Sequence, residues 1–472
     1  MIKSTFTTMA SLIILAGNTA SSALEPTNEK ENIMNIPNLL QEYLEDNGTP
    51  GAAVALIDRG KIEFFCGGNM AIDGNPVTED TLFEIGSITK VFTTLALMDM
   101  VNKGIVELDD PIEKYLPEAK VPERDGTKIT LRHLATHTSG IPRLPDNLDL
   151  EDRSNPYANY SLENLYDFLN HHVLQRIPGT QFEYSNVGMG LLGHILSLVA
   201  NKSYEALIFD TISSQLAMES TGILLTPQMQ ERLADGHQSD QKVKHWDFQP
   251  GMEGCGSLRS SIKDMALFLA ANMGLLDSPV SNLLRQCHEQ QFEPIPQMGV
   301  GLGWMLRWSD ADTKIIWHNG GTGGFRSYLG FDPVKQKGVV ILSNSTGDWP
   351  DEFGSVLLDP NYVKPSIDKT LAKDSAYLNR FVGSYQATVL VTPDQPNQSL
   401  TIGVYGTRLY TELTCGEIGM LYPEKLGVFG VQDFPDGKVF FSFDEAGKIS
   451  NVEARLISDG TILWKAIPAQ AQ

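Results

Sequence analysis

Apolar positions follow two periods along this chain. Over residues 36–46 they recur every three or four places, which gives a helix one apolar face. Residues 51–57 and 61–66 are apolar or alternating, and Asp58-Arg59-Gly60 between them supplies a turn, so this stretch reads as a β-hairpin. Residues 91–101 lack Pro and Gly and are apolar on most sides, which predicts a buried helix ending near Gly104. Residues 129–142 read as a helix closed by Gly140 and Pro142, 144–159 as a long polar surface loop, and 161–170 as a helix. A second apolar helix is expected over 187–200. Three short runs at 314–318, 325–331 and 338–344, separated by Gly- and Asp-rich turns, predict an antiparallel meander. Residues 350–373 have the composition of a linker. Beyond them, 378–468 is a series of short strands, a separate β domain of roughly one hundred residues.

Composition narrows the classes. The chain has 472 residues, more than one typical domain, and a formal net charge of -22. That acidity argues against nucleic acid and anionic membrane surfaces as partners. Residues 1–23 carry Lys3, a short apolar run over 6–17 and the small residues Ser21-Ser22-Ala23, the pattern of a cleaved secretory signal. The expected location is therefore periplasmic or secreted. No run approaches the ~20 apolar residues of a membrane-spanning helix. The four cysteines, Cys66, Cys255, Cys287 and Cys415, are far apart, so neither a zinc ribbon nor a redox pair is indicated.

The candidate chemistry begins at Ser87-Ile88-Thr89-Lys90, at the start of the apolar helix. A serine hydroxyl is a weak nucleophile until a neighbour takes its proton, and a lysine one helical turn on can do so. The helix N-terminus adds backbone N–H groups that face developing negative charge. Ser239, Ser260 and Ser366 also have a lysine three residues later, so the spacing alone does not choose. Ser260-Ser261 before Asp264 reads better as a helix start. His133 and His137 are four apart, but Leu, Ala and Thr lie between them in place of the acidic residue of a zinc protease, which favours a structural role.

Two further boxes decide the context. Tyr184-Ser185-Asn186 follows Pro178-Gly179-Thr180 and leads into the second apolar helix; His318-Asn319-Gly320-Gly321 ends a strand in a Gly-rich turn. Ser185 or Asn186 can also be read as a simple helix cap. Tyr157-Ala158-Asn159 offers the same pattern inside the polar loop, without the preceding Pro-Gly-Thr or the following helix. With His137-Thr138-Ser139-Gly140, these boxes in this order resemble the penicillin-recognising serine hydrolases of the class C β-lactamase and D-alanyl-D-alanine carboxypeptidase type. The resemblance covers roughly residues 33–345, and Ser260 falls in the wrong order for it.

The resemblance implies an α+β fold of the β-lactamase/transpeptidase type: an antiparallel sheet flanked by helices, with a helical subdomain over about 100–210. The expected divisions are a signal peptide at 1–23, a catalytic domain at 33–347, a linker at 348–377 and a β-barrel-like domain at 378–472. Ser87 is then the nucleophile, with Lys90 and Tyr184 moving protons. Asn186 orients the substrate amide, Gly320 and Gly321 shape the substrate site, and the N–H groups of Ser87 and Gly321 receive the oxyanion. His318 stands where many β-lactamases carry lysine, and is expected either to bind a substrate carboxylate as a cation or to assist proton transfer. The implied activity is acyl-enzyme hydrolysis of D-amino-acid peptides of cell-wall type, with a β-lactamase or esterase and a penicillin-binding sensor as alternatives. A small-molecule or peptide substrate is implied, and no metal or organic cofactor.

Overall fold

The computed structural model describes residues 35–469 apart from 150–153, 239, 296–297, 310–312, 360–361, 363–365, 391–398, 406–407, 414–417, 432–433, 458–459 and 461. The signal expected at 1–23, and Cys415, lie outside the described residues.

An antiparallel sheet of eight strands organises the larger domain. Its order is Lys61–Gly68, Gly51–Asp58, Lys337–Ser343, Arg326–Asp332, Lys314–Gly321, Met305–Trp308, Met298–Val300 and Phe292–Ile295. The N-terminal hairpin thus joins the later meander, with Ala52 opposite Ser343 and Asp58 opposite Lys337. Side chains alternate across a strand, so Gly51–Asp58 serves both faces. Ala53, Ala55 and Ile57 pack into one core, and Ala52 and Val54 into the other. The first core lies against the helices Thr89–Asn102 and Ile262–Asn272. The second is closed by the helix Ile36–Asn47 and by Trp349–Leu358.

That last helix corrects the linker expected at 348–377. Trp349, Phe353 and Leu357 recur at helical spacing and are buried. Trp349 donates its indole N–H to Thr49 Oγ1 at 2.9 Å, and Phe353 stacks on Tyr43 with ring centroids 4.8 Å apart. Pro350 falls in the first turn, where its missing N–H costs nothing, so it starts the helix instead of breaking the chain. Two short helices follow, Lys369–Lys373 and Ser375–Asn379, capped by Asp368 and Asp374.

The predicted 129–142 helix is also shorter than expected. Only Leu131–Ala135 is helical, and His137 adopts a left-handed conformation at φ 57°. The expected pairing of His133 and His137 on one helix face is therefore absent; His133 Nδ1 instead accepts from the Thr130 N–H and closes a capping box.

The C-terminal part is a closed barrel of eight strands, in which Gly383–Leu390 pairs with Ile462–Pro468. Its core is packed: Phe381 lies against Phe429 and Phe441 at centroid distances of 4.9 and 4.6 Å. No helix among the described residues is long and apolar enough to cross a membrane.

Candidate active site

Ser87 lies in a single 3₁₀ turn, Gly86–Ile88, that feeds directly into the helix Thr89–Asn102. This helix is buried nearly all round, and Thr89, Lys90 and Thr93 each find a partner in the backbone of 254–258. Thr89 Oγ1 accepts from the Leu258 N–H at 3.1 Å, and Thr93 Oγ1 donates to the Gly254 carbonyl at 2.8 Å. Lys90, fully buried, donates to the Cys255 carbonyl at 2.6 Å and to Ser87 Oγ at 2.8 Å. One lysine is thus held from behind while it touches the candidate nucleophile. Ser260, the rival, instead meets Thr221 Oγ1 at 2.8 Å in a buried contact, and Ser261 caps the helix Ile262–Asn272.

Backbone packs directly on backbone in front of Ser87. A β-carbon on Gly86, whose φ is +49°, would lie 2.6 Å from the Gly321 nitrogen; one on Gly320 would lie 2.0 Å from the Ile85 carbonyl oxygen. Only glycine allows this approach. Ser327 Oγ adds a hydrogen bond to the same Ile85 carbonyl at 2.8 Å. The strand end carrying Gly320 and Gly321 is therefore pressed against the turn carrying Ser87, which brings the Ser87 and Gly321 backbones together as an oxyanion site requires.

Tyr184 completes the cluster. Lys90 Nζ and the Arg143 guanidinium lie 4.9 and 5.0 Å from its ring centroid. Ser185 caps the helix Asn186–Ala200 by accepting from the Gly188 N–H at 2.8 Å. The cap and the catalytic reading coexist, because capping by Ser185 fixes the residues on either side of it. Asn186, the first helical residue, donates to the Tyr157 hydroxyl at 3.1 Å, while its Oδ1 is buried with no protein partner.

The two buried histidines are held in defined tautomers. His137 Nδ1 accepts from the Ser185 N–H at 3.1 Å, its carbonyl accepts from the Glu183 N–H at 2.7 Å, and its ring stacks on Tyr184 at 4.4 Å. Burial, reinforced by Lys90, His318 and Arg143, holds its pKa well below the usual value. His318 donates from Nδ1 to the Asn319 carbonyl at 2.5 Å, which leaves a lone pair on Nε2, buried and without a protein partner. Burial, with Lys90 nearby, pulls its pKa down to about 3. His318 is thus an uncharged imidazole at neutral pH. Of the two expected roles, burial and the adjacent lysine favour the one in which the ring is uncharged over that of a cation holding a substrate carboxylate.

Sequence reasoning missed several neighbours. The spacing of His133 and His137 and the His137-Thr138-Ser139-Gly140 box give His137 a structural place and no contact with Tyr184; that contact comes from its left-handed turn, which leaves no spacing signal. Tyr157 was set aside with the polar loop; it is buried, stacks on Phe248 at 4.9 Å and meets Trp246 edge-on at 5.6 Å. The Cys255 carbonyl that holds Lys90 is a backbone group and could not be read from residue types.

A model of the β-lactamase family matches residues 36–357. The chain belongs to the β-lactamase family. Within it, a β-lactamase of Escherichia coli (strain K12) is 30% identical over 373 residues, spanning 72% of this chain and 94% of the relative. The D-alanyl-D-alanine-carboxypeptidase/endopeptidase AmpH of the same organism is 27% identical over 346 residues, spanning 71% of this chain and 89% of that protein. A class C β-lactamase structure aligns with a TM-score of 0.62 at 23% identity over 70% of this chain and 96% of its own, a likeness of fold. Family membership makes the protein a serine hydrolase, and in the structure Lys90 touches both Ser87, at 2.8 Å, and the Tyr184 ring, 4.9 Å from its centroid.

Proposed function

We propose that this β-lactamase-family hydrolase is exported and cleaves amide bonds in D-amino-acid peptides of cell-wall type, as a D,D-endopeptidase or carboxypeptidase that penicillin also acylates. Ser87 Oγ attacks the carbonyl while its proton passes to the Lys90–Tyr184 pair. The Ser87 and Gly321 N–H groups receive the oxyanion, and the leaving amine takes a proton back from the same pair. Asn186 Oδ1, buried and unpartnered, accepts from a substrate amide N–H. Water then releases the acyl group.

The observation that carries the choice within the family is His318, an imidazole bonded through Nδ1 to the Asn319 carbonyl where many β-lactamases have lysine. A neutral Nε2 lone pair accepts a hydrogen bond from the leaving side and imposes no need for a carboxylate there. The AmpH relative supports the peptidase reading, and the pattern of residues 1–23 supports export. Turnover of a D-Ala-D-Ala peptide, a cross-linked D-amino-acid peptide, a chromogenic β-lactam and a short-chain ester should be compared side by side. The peptides should be turned over and the β-lactam should mainly remain bound as an adduct. Rapid β-lactam turnover with inert peptides would transfer the assignment to a β-lactamase. Mature protein beginning near Leu24 would support export, and an intact Met1 in the exported protein would rule out cleavage.

A further inference from the structure

The barrel has had no part in the chemistry so far, yet one of its side chains reaches the sheet beside the active site. Arg408 opens the barrel strand Arg408–Leu413, and its Nη1 donates to Asp348 Oδ2 at 2.9 Å. Asp348 immediately precedes the helix Trp349–Leu358, and its Oδ1 lies 3.9 Å from Arg326 Nη2. Arg326 Nε donates to Asp351 Oδ2 at 2.7 Å, and Asp351 Oδ1 accepts from Asn319 Nδ2. Asn319 sits between His318 and Gly320, and Arg326 is the register partner of Gly321.

These groups are largely removed from water: side-chain exposure is 16% for Arg408, 10% for Asp348, 20% for Arg326 and 3% for Asp351. Two guanidinium groups face two carboxylates. Burial and the nearby Asp348 push the Asp351 carboxyl up, and Arg326 and Asn319 pull it back. Without Arg408 the two carboxylates would share Arg326, and a buried charge that loses its partner forces its neighbours to shift or take up water. The elements that would shift include the strand whose glycines abut Ser87.

We propose that Arg408 is a positioning residue, through which the barrel holds the His318–Gly321 strand end in place by the series Arg408–Asp348–Arg326–Asp351–Asn319. The barrel is then a brace for the oxyanion side of the cleft. This rests on the serine-hydrolase site and not on the choice of substrate.

The test uses the full chain with Arg408→Glu, Arg408→Met and Arg408→Lys, and with Arg455→Met, which breaks a different barrel ion pair, as control. Two readings are taken: amide hydrogen exchange over 318–321 and 326–332 against 51–68, and the rate of benzylpenicillin acylation by intact mass. Arg408→Glu should speed exchange in the first two stretches and leave the hairpin unchanged. It should slow acylation about tenfold with little change in the penicillin concentration giving half the maximal rate, while Arg408→Lys stays within about threefold of wild type. Arg455→Met should alter neither. Unchanged exchange at 318–321 in Arg408→Glu would overturn the proposal, as would equal acceleration over all three stretches. If the wild type takes no penicillin adduct, the penicillin-binding reading fails, and the exchange data alone decide the role of Arg408.

Discussion

The two walls of the cleft are supported in different ways. The wall carrying Ser87 and Lys90 is a 3₁₀ turn running into a helix sunk in the main core, with Thr89 and Lys90 bonded to the backbone of 255–258. The opposite wall, His318 to Gly321, is a strand end paired with Arg326–Asp332, and beyond that pairing it is tied by charge, through Arg326 and Asp351 to Asp348 and the barrel's Arg408. Tyr184 is near both walls, 4.9 Å from Lys90 Nζ and 6.1 Å from the His318 ring, and is steadied by the stacked His137 ring and by Arg143. A wall built by apolar burial is insensitive to charge. A wall built by paired charges depends on every partner being present.

The largest effect should come from the first wall. Ser87→Ala should abolish the penicillin adduct and lower hydrolysis by roughly four orders of magnitude or more, whereas Ser260→Ala should retain the adduct. Retention of the adduct by Ser87→Ala would assign the chemistry elsewhere. Next is the residue between the walls: Tyr184→Phe keeps the ring and its contacts but removes the transferable proton. It should lower kcat by roughly 10²–10⁴-fold while the protein melts close to wild type. A kcat unchanged in Tyr184→Phe would leave Lys90 as sole proton carrier.

His137 sharpens the comparison, because its ring acts on Tyr184 by stacking and on the Ser185 N–H by a hydrogen bond. His137→Ala loses the ring platform and the acceptor for the Ser185 N–H, and should cost roughly tenfold to a hundredfold in kcat. His137→Asn tolerates the left-handed backbone and retains an acceptor, so it should recover part of that loss. Equal losses in the two variants would show that the hydrogen bond is immaterial.

The smallest effect is on stability against pH. His137, His288 and His318 are buried as neutral rings, with His288 and His318 both near 3 and His137 well below its usual value. The unfolded chain takes up protons near 6.5. Their contribution is therefore complete above about pH 6.5 and is lost progressively as pH falls toward the folded values. Glu253 acts in the opposite sense: burial, with Glu205 nearby, raises it to about 7, so its contribution is present below the ordinary carboxylate range and is lost as pH rises through 7. The melting temperature should therefore drop between pH 6.5 and 4, and less in His318→Gln. Ester and carboxylate substrates should share one pH profile from 5 to 9, because His318 does not titrate there.

The same contrast explains what was legible in the sequence. The Ser87 helix, the N-terminal hairpin and the 314–344 meander were readable because local period and burial agree in them. The helix Trp349–Leu358 was not: Pro350 and the acidic Asp351 and Glu352 made a first turn resemble a linker. Ser87, Lys90, Tyr184, Asn186, His318 and the two glycines are legible as candidates from residue type and order; the structure puts Lys90 against Ser87 and Tyr184, Tyr184 near His318, and the glycines against the Ser87 turn, while Asn186 meets Tyr157. The charge state of His318, the tautomer of His137 and the contact of Tyr157 with Asn186 depend on burial and long-range packing, which no local pattern encodes.

Ser87, pressed against the Gly320–Gly321 strand end, is the group that penicillin should acylate. Peptide mapping of the wild-type protein after exposure to benzylpenicillin tests this most directly. One adduct on the peptide containing Ser87 is the predicted result; an adduct on the peptide containing Ser260, or on none, would contradict it.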